Sequence, residues 1–262
     1  MMKTLIFDCD GVFADTERDG HLVAFNKMWR ENGVNWQWSL DQYAVKLKIG
    51  GGKERMFSLG QDDDFRAVYN VPDSQDEWWD TVAEWHKRKS EIYKDMIASG
   101  ALAGRPGVKR IAEAAHERGW TLAVCSTSSL PSVEAVLQHV MGDETAAKFA
   151  GVFAGDMVKA KKPSPAVYNL AVEQLNLDPD DCVVVEDSRN GLLAAVAAGM
   201  TTIVTFNQLT ENEDFSEAAI VVSSLGDPDG EQTIVAQNRT EANPAGYVSV
   251  DDLETILASH RV

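Results

Sequence analysis

Six short apolar runs, at residues 3–9, 121–125, 152–154, 182–185, 201–206 and 220–222, govern what this chain can fold into. They are continuous rather than alternating and rich in Val, Ile and Leu, so each reads as a strand buried on both faces. Helical periodicity separates most of them, over residues 107–119, 132–140, 165–175 and 191–198, with Gly199 placed to cap the last. Buried strands alternating with helices specify a parallel sheet in an α/β domain. With 262 residues, 44% of them hydrophobic, the chain can bury a substantial core.

Residues 17–94 break the pattern. They hold no strand-like run but six of the seven tryptophans: Trp29, Trp36, Trp38, Trp78, Trp79 and Trp85. From 76 to 99, Trp78, Val82, Trp85, Ile92 and Met96 recur at helical spacing. This reads as a small all-helical insertion after the first strand, with the aromatics as its core rather than a ligand cage. The expected division is therefore a core of residues 1–16 and 95–262 and a helical domain of residues 17–94. The tail after Leu225 is polar and rich in Gly and Pro, closing with a helix at 250–259.

The formal charge is −17, from 24 Lys and Arg against 41 Asp and Glu. Such a surface repels DNA, RNA and anionic lipid, so neither nucleic acid nor membrane is an expected partner. A small anion remains admissible, because cations gathered in one cleft reverse the sign locally. Cys9, Cys125 and Cys182 are odd in number and lie in or beside apolar runs. They suit buried thiols in a reducing compartment better than disulfides or zinc. The residues before the first strand lack the long apolar segment of a signal peptide, so none is expected, and no apolar window reaches the ~18 residues of a membrane span. A cytoplasmic monomer acting on a small phosphorylated metabolite is the expectation.

Four polar clusters lie at the ends of these runs or in the loops after them, the edge where an open parallel sheet binds ligands. The first is Asp8-Cys9-Asp10-Gly11-Val12. Acids at i and i+2 on an extended strand end project to one side. Asp8 can attack phosphorus as a carboxylate nucleophile; Asp10 can protonate the leaving oxygen and then activate water. Gly11 lets the chain turn away at once. Alone this is a weak signal, since solvated acid pairs in turns are common.

The second cluster, Ser126-Thr127-Ser128-Ser129, offers hydroxyls and N–H groups to phosphoryl oxygens. Ser128 or Ser129, just before Pro131, equally suits a helix N-cap. The third is Lys161-Lys162-Pro163-Ser164-Pro165. A lysine held before proline can pair with both nucleophile and phosphate, although a plain basic loop would look the same. The fourth, Glu186-Asp187-Ser188, ends the run 182–185. Acids there are costly unless solvated, paired or bound to a cation. Together with Asp8 and Asp10 they repel one another, which a hard divalent cation relieves; carboxylate and water ligation favours Mg²⁺. The four clusters at successive strand ends carry a weight that none has alone.

In this order the clusters resemble the motifs of the haloacid dehalogenase (HAD) superfamily, and the likeness runs to about Leu225. The resemblance implies an α/β fold: a Rossmann-like core with a parallel sheet, plus a small all-helical C1 cap. It implies Asp8 as nucleophile, Asp10 as general acid and base, and Ser126 and Lys162 as holders of the phosphoryl group. Mg²⁺ would be ligated by Asp187, the Asp8 carboxylate and the Asp10 backbone carbonyl, with Glu186 as a ligand or beside one.

A closer likeness is to the CbbY-like branch, through Asp15-Thr16-Glu17, Trp36-Gln37-Trp38-Ser39, Gly50-Gly51-Gly52-Lys53-Glu54-Arg55-Met56 and Glu186-Asp187-Ser188-Arg189-Asn190-Gly191. Recognised members of that branch act as xylulose-1,5-bisphosphate phosphatases. The turn of Gly51 and Gly52, which presents Lys53 and Arg55 on either side of Glu54, suits a second, non-reacting phosphate. It also suits a surface turn before a helix. Glu17, at the cap's entry, is expected to accept hydrogen bonds from sugar hydroxyls.

Two other functions fit the same core: a β-phosphoglucomutase-like mutase, and a non-catalytic sugar-phosphate binder. The Asp8/Asp10 pair speaks against the second, since a pure binder needs no general acid. His21, His86, His116, His139 and His260 show no triad or metal spacing and receive no catalytic role, His21 being a candidate for lining the cleft.

Overall fold

The computed structural model describes residues 2–49 and 51–259. Gly50 of the glycine-rich run and His260 lie outside the described residues. The chain divides into two compact units, Met1–Asp15 with Ala103–Val262, and Thr16–Leu102. The expected boundary at 94/95 falls inside a helix, Gln75–Ala98, and the second unit continues to Leu102.

The first unit is an α/β layer structure around one seven-stranded sheet. Its strands are β1 (Thr4–Phe7), β2 (Thr121–Cys125), β3 (Phe149–Phe153), β4 (Cys182–Glu186), β5 (Thr201–Thr205), β6 (Ile220–Val222) and β7 (Val235–Asn238), in the order β3-β2-β1-β4-β5-β6-β7. All neighbours pair parallel except β6 and β7. The six expected runs fall on β1 to β6, but the third, 152–154, covers only the end of β3, which is not buried on both faces: of the residues of β3 only Phe153 is fully buried. Residues of β1 and β4 are all buried, which is why their sequences do not alternate. On one face Ile6, Ala123 and Val184 pack with Val167, Tyr168 and Ala171 of the helix Ala166–Leu175 and with Ala194 and Ala195 of Arg189–Ala197.

The sequence gives no sign of β7, because an exposed edge strand has no apolar pattern to read. Its tail is not loose. Arg110 donates to the carbonyls of Leu225, Gly226 and Val248 and pairs with Asp227, and the Asp227 carboxylate in turn accepts from the Gly107 N–H.

The central position of β1 matters for function. The chain crosses to β2 on one side and later to β4 on the other, so the sheet's direction of growth reverses at β1. A crevice opens at the carboxyl ends of strands at such a switch point.

Among its described residues the second unit holds no strand: a π-helical turn at Thr16–Leu22, then helices Val23–Glu31, Leu40–Lys46 and Gly52–Phe57, a 3₁₀ turn at Ser58–Gln61, and helices Asp63–Val68 and Gln75–Ala98. Trp29 and Trp38 meet edge to face at 4.6 Å, and Trp78 and Trp85 at 5.6 Å around Phe65. These four tryptophans are buried, as a core requires. Trp79 is not: it is 38% exposed. One residue on from Trp78 along a helix is a turn of about 100°, which carries it off the buried stripe. Likewise Ile97, not Met96, closes the buried face of Gln75–Ala98. No helix among the described residues is long and apolar enough to cross a membrane.

Candidate active site

Four of the sheet's carboxyl ends deliver the polar clusters to one place. Asp8 follows the last residue of β1 and is tied to β4 by its N–H on the Val185 carbonyl (2.9 Å). Glu186 ends β4 and Asp187 follows it. Lys162 comes from the loop between β3 and the helix Ala166–Leu175. Its ammonium lies 2.6 Å from Asp8 Oδ1, 2.6 Å from Glu186 Oε1 and 2.8 Å from the Cys125 carbonyl of β2. One cation thus joins three strand ends. The Tyr168 hydroxyl donates to the same Glu186 Oε1 at 2.6 Å, beneath the ammonium.

The side chains of Lys162, Asp8 and Glu186 are 5%, 9% and 1% exposed, so water screens these charges little. Burial pushes the Asp8 carboxyl up to about 7; Lys162 opposes this while Glu186 and Asp10 reinforce it. Asp187 is held well above the usual carboxylate range, first by burial, then by Asp8 and Glu186, against Arg105 and Lys162. Burial alone would lower Lys162, but Asp8 and Glu186 outweigh it and keep the ammonium charged. Carboxylate oxygens of Asp8, Glu186 and Asp187 lie within 4.8 Å of one another. With all three acids ionised, the single ammonium would leave an excess of negative charge, and the raised Asp8 and Asp187 carboxyls express that cost.

Asp10 turns toward the second cluster. The Ser128 hydroxyl donates to Asp10 Oδ2 at 2.6 Å, and the Ser128 N–H donates to Ser126 Oγ at 3.1 Å. Gly155 lies against this loop: a Cβ there would sit 2.0 Å from the Thr127 carbonyl oxygen. Ser129 occupies the N-cap position of Leu130–Met141 but its side chain makes no capping bond. Asp156 takes the Leu130 N–H instead.

Residues 2–199 match the family of haloacid dehalogenase-like hydrolases. The chain belongs to that family. Among relatives of this hydrolase, a CBBY-like protein of Arabidopsis thaliana is 46% identical over 233 residues, 88% of this chain and 71% of that one. Protein CbbY of Cereibacter sphaeroides is 36% identical over 88% of this chain and 95% of its own. The crystal structure of CbbY from Rhodobacter sphaeroides in complex with phosphate superposes with a TM-score of 0.69 at 36% identity, covering 86% of this chain and 95% of that one. A mutant of that protein in complex with xylulose-(1,5)bisphosphate matches with the same score and identity. The present hydrolase is an enzyme, a CbbY-like phosphatase.

Asp8, Asp10, Ser126, Ser128, Lys162, Glu186 and Asp187 of this phosphatase are brought together in its α/β unit. The residues expected to select substrate in the helical unit have their own arrangement. Tyr43 donates to Glu17 Oε2 at 2.5 Å, Arg55 donates to the Tyr43 hydroxyl and to the Ile49 carbonyl at 3.0 Å each, and Arg55 lies 3.6 Å from Glu17. Arg55 is thereby committed inside its own unit, whereas Lys53 is half-buried and near His86. Gly51 turns with φ +97°, and Gly52 leaves room for the His86 ring, which a Cβ would approach to 3.0 Å. Glu54 is exposed. Burial, then Lys89 and Lys53, hold His86 down at about 4; His21, 2.8 Å from the Lys89 ammonium, is also well below its ordinary value through burial first.

Three further residues shape the site without standing in any of the four sequence clusters. Tyr168 is buried beneath Lys162. Asn207 Nδ2 donates to Asp187 Oδ2 at 2.9 Å. Arg105 donates to four backbone carbonyls around the site. Asn207 was findable, because it lies two residues past β5 and strand ends are where such groups gather. Arg105 gave no signal: its acceptors are 94 to 118 residues away.

Proposed function

We propose that this phosphatase hydrolyses a small sugar phosphate, with xylulose-1,5-bisphosphate as the leading candidate, through an aspartyl-phosphate on Asp8 and with Mg²⁺ as cofactor. The observation that carries the reading is the Lys162 ammonium shared at 2.6 Å by Asp8 and Glu186 at the sheet's switch point. It fixes one oxygen of Asp8 and leaves the carboxylate a second one for attack.

The donor set fits a hard cation. Buried oxygens of Asp8 and Asp187, with the Asp10 carbonyl, are ligands of the type Mg²⁺ takes. Glu186, already bonded to Lys162 and Tyr168, would serve from beside the ion or as a further ligand. Bound there, the cation would neutralise phosphoryl charge and orient the transferring group.

In the first step an oxygen of Asp8 bonds to phosphorus as the bond to the sugar oxygen breaks, and Asp10 gives that oxygen its proton. In the second, Asp10 takes a proton from water, which attacks phosphorus and releases phosphate and free Asp8. Ser126, Thr127, Ser128, Ser129 and Lys162 are assigned to the phosphoryl oxygens. Phosphate monoesters demand up to ~10²¹-fold acceleration, more than any single group supplies. A screen of phosphate release from sugar mono- and bisphosphates tests this reading. Release should be greatest from a pentulose bisphosphate, vanish in excess chelator and return with MgCl₂. Full turnover in chelator would remove the cation, and no release from any sugar phosphate would remove the substrate class.

Selection of a bisphosphate is assigned to the helical unit: Lys53 and Arg55 in the turn after Gly51 and Gly52, with Glu54 and Glu17 beside them. The CbbY complex with xylulose-(1,5)bisphosphate supports this substrate. Arg55 also anchors Glu17 and Tyr43, so its removal would disturb more than one contact. Lys53→Ala is the cleaner variant. It should lower kcat/KM for the bisphosphate roughly 10- to 100-fold, the worth of one charge-assisted hydrogen bond. An aryl phosphate has no distal group and should be turned over as before. Equal losses on both substrates would make the turn purely structural.

A further inference from the structure

Arg105 has no role in the reaction described above, yet its surroundings are unusual for an arginine. Its side chain is 8% exposed, and it faces backbone carbonyls rather than solvent. One terminal nitrogen donates to the carbonyls of Gly11 and of Thr205 (2.8 Å), and the other to those of Phe206 and Ser223 (2.7 Å each). Its Nε lies 3.6 Å from Asp15, and its own N–H donates to the Phe13 carbonyl. The planar fork suits this task, since several donors are held in fixed directions at once.

These contacts close a ring around Asp187. Gly11 packs directly against the Asp187 carboxylate: a Cβ on Gly11 would sit 1.9 Å from Asp187 Oδ2. The same Oδ2 accepts from Asn207. Asn207 follows Phe206, whose carbonyl Arg105 holds, and Arg105 returns to Gly11. Two segments far apart in sequence, the turn after β1 and the turn after β5, are thus fixed to each other by one guanidinium, with Asp187 between them.

We infer that Arg105 is a positioning residue for the cation site: it holds the Asp8–Gly11 turn and the Phe206–Asn207 turn at the separation that aligns Asp8, the Asp10 carbonyl and Asp187 as ligands. The inference rests on the assignment of a divalent cation to those oxygens. Arg105 itself touches neither cation nor substrate. Loss of a group that orients ligands weakens metal binding by roughly 10- to 100-fold.

The test is calorimetric titration of the full chain with MgCl₂, alongside thermal unfolding, for wild type, Arg105→Lys, Arg105→Gln and Asn207→Ala. Lysine keeps the charge but cannot span four carbonyls; glutamine keeps two donors and loses the charge. Arg105→Lys should melt near wild type and bind Mg²⁺ roughly 10- to 100-fold more weakly. Excess MgCl₂ should restore its turnover. Because Asn207 belongs to the same ring, the Arg105→Lys/Asn207→Ala double variant should lose less than the product of the single losses. Wild-type affinity in both Arg105 variants would overturn the inference. So would affinity that falls only in step with a collapse of melting temperature in both, which would make Arg105 a general staple of the fold. A wild-type protein that binds no Mg²⁺ would overturn the cation-site reading itself, and this inference with it.

Discussion

Asp8→Asn should abolish phosphate release, by at least roughly 10³-fold, while the protein stays folded. The amide has no carboxylate oxygen with which to form the acyl phosphate, and it is a weaker ligand for a cation. Folding should not suffer, because the site is electrostatically strained without a metal. Burial lifts the Asp8 carboxyl from 3.8 to about 7, so the folded state disfavours its ionisation. The sign follows from linkage. Between these two values the folded protein holds a proton that the unfolded chain has lost, so stability falls as pH rises through that window. In excess chelator, wild type should therefore become less stable from about pH 4 to about pH 7, and Asp8→Asn should show a shallower decline. MgCl₂ should reduce the wild-type decline, because a cation competes with protons for the same oxygens. The checks are phosphate release and thermal unfolding at several pH values. Activity within tenfold of wild type would end the aspartyl-phosphate mechanism, and a variant that unfolds in chelator at every pH would contradict the account of the strain.

Asp10→Asn should reduce turnover of a sugar phosphate by about 10²–10⁴-fold, the usual worth of a positioned acid and base. Asp10 is half-buried and receives the Ser128 hydroxyl at 2.6 Å, which orients the carboxyl beside Asp8. A sugar alkoxide is a poor leaving group and needs the proton. An aryl oxide does not, so its loss should be smaller while transfer to Asp8 limits the rate. Comparing the two substrates by single-turnover kinetics separates the roles. Equal losses would mean that Asp10 is not the leaving-group acid.

Most of the sheet was legible in the sequence. A strand buried on both faces must be apolar throughout, so β1, β2, β4, β5 and β6 announced themselves, whereas β3, mostly not buried, showed only its end. The acids at Glu186 and Asp187 stood out as costly, while Asp8 gained weight only beside the other clusters. The helical unit was legible for a similar reason: it holds no strand-like run, and Trp78, Val82, Trp85 and Ile92 recur at helical spacing. The edge strand β7 was not, because its residues are mostly exposed and carry no pattern.

What the sequence determined on its own was therefore local: which segments are strands, which are helices, and which polar groups stand at strand ends. Those properties depend on a few neighbouring residues and on the side-chain period. Only the tertiary structure decided which partner each polar group takes. It gave Lys162 to Asp8 and Glu186 together, Ser128 to Asp10 rather than to a helix cap, and Arg55 to Glu17 and Tyr43. It also brought Tyr168, Asn207 and Arg105 to the site. Such choices join groups up to more than a hundred residues apart, and they are set by which donors and acceptors lose water together when the strands and loops pack, a quantity that no local pattern encodes.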